Sequence, residues 1–434
     1  MRFIASQNLT IMKKLSYIML FLILGMNLTA QSVWDGKREA IRNGLGTEEN
    51  PYLIENAQNL AWLIYSINWD YSQWTDGKYF LLTTDIDLNG SPDNQWIPIG
   101  AGNSTSGTKN FNGVFDGGFH KITGLYIDTD NAISDRNSLW YGSNAAFFSS
   151  IQNNAVVKNL YLEGTINSDR MAAGFSGKYG NFEYCVSNID IETSTQSTGG
   201  IVAQQSGTIR NCANLGDIKG RTSVGGIVGM KGNIENCYNM GRIEADNNVG
   251  GIEGVAMMSN VKNCYNVGEI VFGTDAGYVG AIVGRVASNS TVENSYYLDG
   301  CINESNEYGE PQTAEFMRSM EFVNLLNNET DVWVMDTDSI NDGYPVFGNT
   351  PFDVEEIVTE FSDVVVVYPN PVTDNVYVVG NVASCEIYDL VGKRVKTVWT
   401  NMDKISVTDL QSGIYMMRFV MKNGNVVTKK IVKQ

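Results

Sequence analysis

A short glycine-rich block recurs four times between residues 198 and 284, and this repeat constrains the fold more than any other feature of the sequence. The blocks start 26, 25 and 30 residues apart. They are Thr198–Val202, Val224–Gly229, Val249–Gly254 and Val279–Gly284. Self-similarity at this period is typical of a repeat array, in which each unit depends on its neighbours for a core.

The segments between the glycine blocks are also related to one another. They are Ile209–Asn214, Ile234–Asn239 and Val261–Asn266. Each unit has room only for short β-branched runs that end at Gly or Asn, which indicates strands and turns. A helical repeat would need longer amphipathic runs with fewer glycines. Stacking equivalent strands about 4.8 Å apart predicts an all-β fold, a parallel β-solenoid.

Stacking would place equivalent residues in three columns. An aliphatic column would hold Ile209, Ile234, Val261 and Val292, a second column Cys212, Cys237, Cys264 and Ser295, and an amide ladder Asn211, Asn236, Asn263 and Asn294. The aliphatic and cysteine positions are three residues apart, so an unbroken strand would point them to opposite faces. We therefore expect a bend between them, with the asparagines at the corner.

Composition excludes one class of partner and limits the cofactors. The 434 residues are enough for two or three domains, and their formal net charge is −18. A nucleic-acid partner is not expected, because the chain lacks a basic patch that could release phosphate counterions. The acidic surface favours solubility, with a structural Ca²⁺ as the weaker alternative and no other cofactor expected.

The N-terminus has the pattern of a secretory signal over residues 1–30, with translation beginning at Met12. Met12-Lys13-Lys14 is basic, and Leu15–Gly25 is an apolar run too short to span a bilayer. Leu28–Ala30 ends in a small residue before Gln31. No later run is long and apolar enough to span a bilayer, so the mature chain is not expected to be an integral membrane protein.

The six cysteines of an exported chain raise the question of disulfides. Cys185, Cys212, Cys237 and Cys264 occupy equivalent positions, and a spacing of about 4.8 Å is slightly too wide for unstrained bridges. We expect buried free thiols. A metal site is not expected, because the chain has no Cys-x-x-Cys pair and a single histidine.

Residues 31–348 are predicted to form the solenoid, closed by a short helix at each end. Asn56 can cap a helix over 57–67, and residues 312–327 have apolar positions near helical spacing. Such helices would cover sheet edges that an open solenoid exposes. Residues 349–362 are acidic and free of repeats, as in a linker.

Several strings in residues 34–347 resemble the GLUG-type repeats of bacterial surface proteins. Besides the glycine blocks and the Asn-Cys-Tyr-Asn units, they are Asn50–Ile54, Asp85–Leu88 and Phe115–His120. The resemblance implies a right-handed β-helix. Similar repeats accompany zinc peptidases that cleave immunoglobulin A, but those need a His-Glu-x-x-His helix, and His120 is alone.

Residues 363–434 form a separate region with seven short alternating runs, a pattern typical of a small Ig-like β-sandwich. Its strings resemble the type A sorting domain of the type IX secretion system. The matching motif residues are Tyr368, Pro369, Asn370, Pro371, Asp389, Gly392, Lys393, Gly413, Tyr415, Lys429 and Lys430. The resemblance implies interaction with that secretion machinery, export across the outer membrane of a Gram-negative bacterium, and removal of this domain by a sortase-like peptidase.

Two groups of residues are candidates for chemistry or binding. β-Helices can cleave polysaccharides with clustered carboxylates, and the acidic candidates are Asp85 with Asp87 and Asp128 with Asp130, with His120 as a candidate base. The simpler interpretation is that these residues form turns and structural hydrogen bonds. The candidate glycan-contact aromatics are Trp62, Trp69, Tyr71 and Trp74, whose simpler role is packing beside the N-terminal helix.

The sequence therefore predicts an exported, cell-surface or released β-solenoid without catalytic residues, which binds a glycan or a host or cell surface. The alternative function is a polysaccharide-degrading lyase or glycoside hydrolase. An enzyme would need acids and a base that converge in one groove.

Overall fold

The structure is a computed structural model. It describes residues 31–69, 74–100, 110–129, 144–194, 196–204, 207–273, 277–287, 289–328, 330–337, 339–348, 365–368, 370–379, 382–389, 392–399, 404–421 and 426–434. The predicted signal over 1–30 and the predicted linker over 349–362 lie outside the described residues.

The predicted parallel β-solenoid is confirmed, with about eight turns. Its less regular first part contains β1 (Ser32–Val33), β2 (Tyr52–Ile54), β3 (Tyr79–Leu82), β4 (Ile86–Asp87), β5 (Val114–Asp116), β6 (Lys121–Asp128), β7 (Val156–Ser168), β8 (Ala172–Ala173), β9 (Ser176–Lys178) and β10 (Asn181–Thr193). Strands β7 and β10 are long, paired in parallel register from Val156–Asn181 to Ser168–Thr193.

The repeats form the regular turns, whose strands are shorter. The strands are β11 (Gln196–Gly199), β12 (Val202–Gln204), β13 (Thr208–Arg210), β14 (Ala213–Asn214), β15 (Ile218–Lys219), β16 (Thr222–Gly225), β17 (Val228–Met230), β18 (Asn233–Glu235), β19 (Tyr238–Asn239), β20 (Ile243–Ala245), β21 (Asn247–Gly250), β22 (Glu253–Ala256), β23 (Asn260–Lys262), β24 (Tyr265–Asn266), β25 (Ile270–Phe272), β26 (Val279–Gly280), β27 (Val283–Val286), β28 (Thr291–Glu293), β29 (Tyr296–Leu298) and β30 (Glu310–Gln312). Equivalent strands of successive turns pair in parallel.

The predicted columns are present. The aliphatic residues pair in register from Ile209 through Ile234 and Val261 to Val292. All six cysteines are buried and free. The cysteine column therefore packs as small apolar side chains. Burial raises the pKa of Cys212, Cys237 and Cys264 well above the ordinary value of a thiol.

The predicted asparagine corner is confirmed. Asn211, Asn236, Asn263 and Asn294 have φ values of 54°, 52°, 54° and 45°, the left-handed region that Asn tolerates better than most residues. Their amides hydrogen-bond along the stack, since each Nδ2 donates to the Oδ1 of the preceding corner at 3.2, 3.2 and 3.4 Å. Each of these asparagines thus adopts the corner conformation, and its side chain also forms the hydrogen bond to the neighbouring turn of the solenoid.

A second amide ladder, which the sequence analysis did not predict, runs through the interior. Asn214, Asn239 and Asn266 are fully buried. Asn214 Nδ2 donates to Asn239 Oδ1 at 2.8 Å, and Asn239 Nδ2 donates to Asn266 Oδ1 at 2.7 Å. Each Nδ2 also donates to the backbone carbonyl two residues further on. The ladder therefore pairs most polar atoms of amides that would otherwise be costly to bury, whereas Asn214 Oδ1 at its end has no hydrogen-bond partner among the described residues.

The second glycine of each of the first three blocks faces this interior ladder, and Ala281 takes the equivalent position in the fourth block. A Cβ on Gly226 would overlap the Gly251 carbonyl oxygen and the Asn239 side chain. A Cβ on Gly251 would likewise overlap the Ala281 carbonyl oxygen and the Asn266 side chain. Glycine is therefore required here for close approach of backbone and side chain.

Helix α1 (Ala57–Trp69) lies where the sequence predicts a helix over 57–67. Asn56 Oδ1 accepts the Asn59 N–H at 2.8 Å, as an N-cap does. Its buried face includes Leu60, Leu63 and Ile67, which belong to the same core cluster as the solenoid interior. No helix in the described part of the chain is long and apolar enough to cross a bilayer.

The predicted helix over 312–327 is divided in two, which corrects the sequence analysis. Helix α2 (Ala314–Met317) and helix α3 (Met320–Asn327) each have their own N-cap, Thr313 and Ser319. Because Ser319 accepts the Phe322 N–H with its side chain, it starts a new helix instead of continuing the first.

These helices also pack on the side of the solenoid, over a column of outward-facing tyrosines. β31 (Trp333–Val334) and β32 (Val346–Phe347) form an antiparallel pair in the same layer. The cluster includes Tyr238, Tyr265, Tyr296, Phe322, Leu326, Trp333 and Phe347. Tyr265 donates its hydroxyl to the Pro345 carbonyl at 2.6 Å. Because the tyrosines belong to successive turns, the C-terminal layer braces several turns at once.

The C-terminal unit has two antiparallel sheets. One contains β33 (Val366–Tyr368), β34 (Asn375–Val379) and β37 (Lys404–Ser406), and the other contains β35 (Val382–Tyr388), β36 (Arg394–Val398), β38 (Gly413–Met421) and β39 (Val426–Lys433). Residues of both sheets share one apolar core, among them Val376, Ile405, Ile387 and Phe419. The predicted number of seven strands agrees with the described residues.

One column of the solenoid contains a buried acid. Glu253 pairs in register with Val228 and Val283 and is fully buried. Its Oε1 accepts the Gly232 N–H at 2.8 Å and the Ser259 hydroxyl at 3.1 Å, whereas Oε2 has no hydrogen-bond partner among the described residues. Burial raises the pKa of Glu253 to about 8.

Replacing the ladder-facing glycines should destabilise the solenoid. We expect Gly226→Val and Gly251→Val each to lower the free energy of unfolding by at least about 1 kcal/mol, because the new side chain overlaps backbone. Gly273→Val is the matched control, since a Cβ there meets nothing within 4 Å. Denaturant unfolding of the three variants tests this, and curves for Gly226→Val and Gly251→Val that coincide with the parent would contradict it.

Glu253 should make stability fall as pH rises. The folded chain retains a proton on Glu253 between pH 4.5 and about 8 that the unfolded chain has lost. The free energy of unfolding should therefore decrease across this window by up to about 1.4 kcal/mol per pH unit. Glu253→Val should remove this dependence, whereas the exposed control Glu307→Val should retain it. Equal pH slopes in the parent and Glu253→Val would refute the assignment.

Candidate functional site

A charged groove runs across the turns on the face formed by β7, β10, β15, β20 and β25. It consists of two adjoining cavities of 620 and 360 Å³ that share Asn167, Glu192 and Lys219. Its lining contains five carboxylates, Asp190, Glu192, Asp217, Glu244 and Asp246, and three cations, Lys219, Arg221 and Arg242. Opposite charges are therefore interspersed along the groove.

The central column of the groove alternates in charge because of the register. Glu192, Lys219 and Glu244 are direct partners on neighbouring strands. Lys219 Nζ lies 3.0 Å from Glu192 Oε1, and this hydrogen bond raises the pKa of Lys219 above its ordinary value. The column continues through Asn167 on one side and Val271 on the other.

A second column is built from the residue that precedes each buried isoleucine. Asp190 Oδ1 accepts the Asp217 N–H at 3.0 Å, and Asp217 Oδ1 accepts the Arg242 N–H at 2.8 Å. The Arg242 guanidinium pairs with Glu244 at 2.7 Å and with Glu269 at 3.2 Å. These bonds link the polar groups of neighbouring turns along the sheet.

The acidic candidates from the sequence do not form this groove. Asp85 Oδ1 lies 3.0 Å from His120 Nδ1 and also accepts the Lys121 N–H at 3.0 Å. Asp87 Oδ1 accepts the Asn89 N–H at 2.7 Å and so closes its own turn. Asp128 is buried, with Tyr126 Oη 3.5 Å from its Oδ2, and Asp130 lies outside the described residues. The Asp87 contact is local to its turn, whereas the Asp85 contacts join segments 35 and 36 residues apart, as structural hydrogen bonds do.

Two of the candidate glycan-contact aromatics, Trp62 and Trp74, take part in packing. The Trp62 and Trp74 rings lie 5.5 Å apart, and Trp74 also contacts Tyr52 and Phe80. Trp69 is the last residue of α1, and Tyr71 lies outside the described residues. The Trp62–Trp74 pair thus joins the N-terminal helix to the first turns.

The sequence analysis did not identify the groove residues, because they lie outside the glycine blocks and the Asn-Cys segments. The residue after each repeated isoleucine reads Glu192, Lys219, Glu244 and Val271, and the residue before it reads Asp190, Asp217, Arg242 and Glu269. The charge alternation in the first of these columns was available in the sequence, but only the folded structure shows that the two columns line adjoining cavities.

In the C-terminal unit, several of the predicted motif residues tie the strands together. Asn370 donates its Nδ2 to the Lys430 carbonyl at 2.9 Å and accepts the Val432 N–H at 2.7 Å, so it binds the first loop to the last strand. Tyr415 donates its hydroxyl to the Gln411 carbonyl at 2.9 Å. Pro369 lies outside the described residues, and only the backbone of Tyr368 is described.

The two ends of the Asp389–Lys393 motif are hydrogen-bonded to each other. Asp389 Oδ1 accepts the Lys393 N–H at 2.9 Å, and Gly392 has a φ of +82°, which favours glycine. Gly413 opens β38, and Lys429 and Lys430 lie exposed on β39.

Comparison with known families assigns this unit. Residues 366–434 match the family model described as a secretion system C-terminal sorting domain. This unit is a type IX secretion sorting domain. The sorting domain implies interaction with the type IX secretion machinery, and the chain is an exported protein of the cell surface or the surrounding medium.

Two curated relatives are similar to part of the chain. A "Putative Gly-rich membrane protein" of Evansella cellulosilytica is 29% identical over 167 residues, which cover 37% of this chain and 17% of the relative. "Halomucin" of Haloquadratum walsbyi is 26% identical over 195 residues, which cover 44% of this chain and 2% of the relative. The matches thus span less than a fifth of either relative. No solved structure matches the chain significantly.

Removal of the sorting domain should block export. In the native host, we expect a chain without residues 363–434 to accumulate inside the cell envelope, because the machinery no longer recognises it. The intact chain carrying Lys219→Ala is the control, which should still reach the surface or the medium. Cell fractionation with immunodetection measures both, and surface exposure of the truncated chain would contradict the assignment.

Proposed function

We propose that the protein is a non-catalytic binding module that, after export, binds an extended glycan of a host or cell surface in the charged groove. The observation that carries this proposal is the groove itself, in which register-matched polar side chains line adjoining cavities of 620 and 360 Å³. Five turns contribute, from Asn167 to Val271. The groove follows the stack and so suits a chain-like ligand.

The charges favour a hydroxyl-rich ligand without a large net charge. The main cations of the groove already pair with carboxylates of the protein, Lys219 with Glu192 and Arg242 with Glu244. A polyanion would have to displace these carboxylates, and a metal ion would have to displace the cations. Sugar hydroxyls can donate to the carboxylates and accept from the ammonium and guanidinium groups without breaking the pairs. Phe272 at one end offers an apolar face.

The alternative is a polysaccharide-degrading enzyme that uses the same groove. Its support is that Glu192 and Glu244 flank Lys219 on one sheet face. Glycoside hydrolysis needs one carboxylic acid that can donate a proton and a second carboxylate across the scissile bond. Each glutamate here binds a cation instead, an arrangement that suits ligand binding better than proton donation.

The proposal extends to the remaining features of the chain. We take the solenoid to be of GLUG type and right-handed, supported by the glycine blocks, and the sorting domain to be Ig-like, supported by its two sheets around one core. Residues 1–30 would direct export from a Gram-negative cytoplasm. A sortase-like peptidase would then remove the sorting domain and leave the solenoid anchored or released.

Glycan-array screening of the purified protein, followed by calorimetry with the best polysaccharide, tests the proposal. We expect the double variant Lys219→Ala/Arg242→Ala to lower affinity at least tenfold. The matched control is Arg210→Ala/Lys262→Ala, which removes two cations from another register-matched charged column, where each lies beside Glu235. The control should bind within twofold of the parent.

Two outcomes would contradict the proposal. If the groove variant binds the polysaccharide as tightly as the parent does, the groove is not the binding site. If the parent releases shortened products from the polysaccharide and the groove variant does not, the enzymatic alternative is correct.

A further inference from the structure

A second, smaller pocket opens beside helix α1, apart from the charged groove. Its volume is 280 Å³, and it is walled by Trp34 and Trp96, with Ala61 and Ile64 of α1 at its base. The two indole rings meet edge to face, with centroids 6.5 Å apart. This pocket lies close to the predicted aromatic site but uses different residues.

The polar edges of both indoles are already satisfied by the protein. Trp34 Nε1 donates to the Lys37 carbonyl at 2.9 Å, and Trp96 Nε1 donates to the Phe147 carbonyl at 3.2 Å. The rings therefore have no N–H left for a ligand. Trp96 is only 2% exposed, so the apolar ring surface at the pocket is mainly that of the half-buried Trp34. Such surface suits the C–H face of a six-membered ring.

One cation stands at the pocket. The Arg38 guanidinium carbon lies 3.7 Å from the centroid of the Tyr65 ring, and both residues line the cavity. Within the described part of the chain, no carboxylate pairs with Arg38. The nearby Asp35 is engaged by Lys37 at 2.9 Å and by Gln58 at 2.8 Å. Stacking on Tyr65 orients the guanidinium and leaves its N–H groups available to an anion.

We propose that this pocket binds a sugar ring that carries a carboxylate, of the uronic-acid class, as one unit of a glycan. The ring would lie against the Trp34 indole, and its carboxylate would take two N–H donors from Arg38. A volume of 280 Å³ lies just below the usual range for ligand pockets and fits one ring. The inference rests on the proposed glycan binding but uses a site separate from the groove.

Ligand-observed NMR and calorimetry with monosaccharide glycosides test this site on the purified full chain. We expect methyl β-glucuronide to bind at least tenfold more tightly than methyl β-glucoside, which lacks the carboxylate. Arg38→Gln should remove that preference. Arg285→Gln is the matched control, because Arg285 also lies over a tyrosine, Tyr278 at 5.0 Å, and should leave the preference unchanged.

Three results would overturn the inference. They are equal binding of glucuronide and glucoside, undiminished glucuronide preference in Arg38→Gln, and benzoate binding more tightly than glucuronide, which would indicate a pocket for aromatic acids. The groove variant Lys219→Ala/Arg242→Ala should still bind glucuronide normally. Failure of the pocket and failure of the groove are therefore separate observations.

Discussion

The structure depends on the interior amide ladder of Asn214, Asn239 and Asn266. A buried amide costs free energy unless its polar atoms are paired. Here the Nδ2 groups of Asn214 and Asn239 each donate to the amide one turn away and to a local carbonyl. This arrangement works in one register only, because a slip of one residue would turn the asparagines to the other face. The ladder thus fixes the register of the strands and also stabilises the solenoid.

The glycine blocks follow from the same constraint. The backbone of Gly226 and of Gly251 passes so close to the ladder that a Cβ would overlap it. Neither glycine has a positive φ, so close approach and not backbone conformation explains the residue. The left-handed conformations are instead held by the corner asparagines, Asn211, Asn236 and Asn263. The glycine blocks and the Asn-Cys segments, which are separate in the sequence, therefore meet where Gly226 lies against Asn239 and Gly251 lies against Asn266.

Because the interior fixes the register, the residues on the outer faces of the solenoid can differ from turn to turn. On one face, stacked positions became tyrosines that bind the C-terminal helices and the Trp333–Phe347 hairpin. On another face, the positions beside the repeated isoleucines became acids and bases that line the groove. The core repeats while the surface varies, so a binding surface can change without altering the interior packing.

The fold could be predicted from the sequence in some detail. Repetition every 25 to 30 residues indicated the solenoid, and a three-residue spacing between Ile209 and Cys212 predicted the corner at Asn211. The C-terminal motifs indicated the sorting domain. The site could not be predicted, since the residues singled out, such as Asp85 and Trp62, were chosen by type, and type does not show which side chains share a cavity.

The sequence by itself thus determined the repeat, the strand register and the destination of the chain, because each is encoded by residues close together or at a constant period. Only the tertiary structure decided that Glu192, Lys219 and Glu244 form one groove, that Glu253 is buried in a valine column, and that α2 and α3 lie along the side of the solenoid. These features depend on contacts between turns and on which face of a turn a residue occupies. Neither is a local property of the chain.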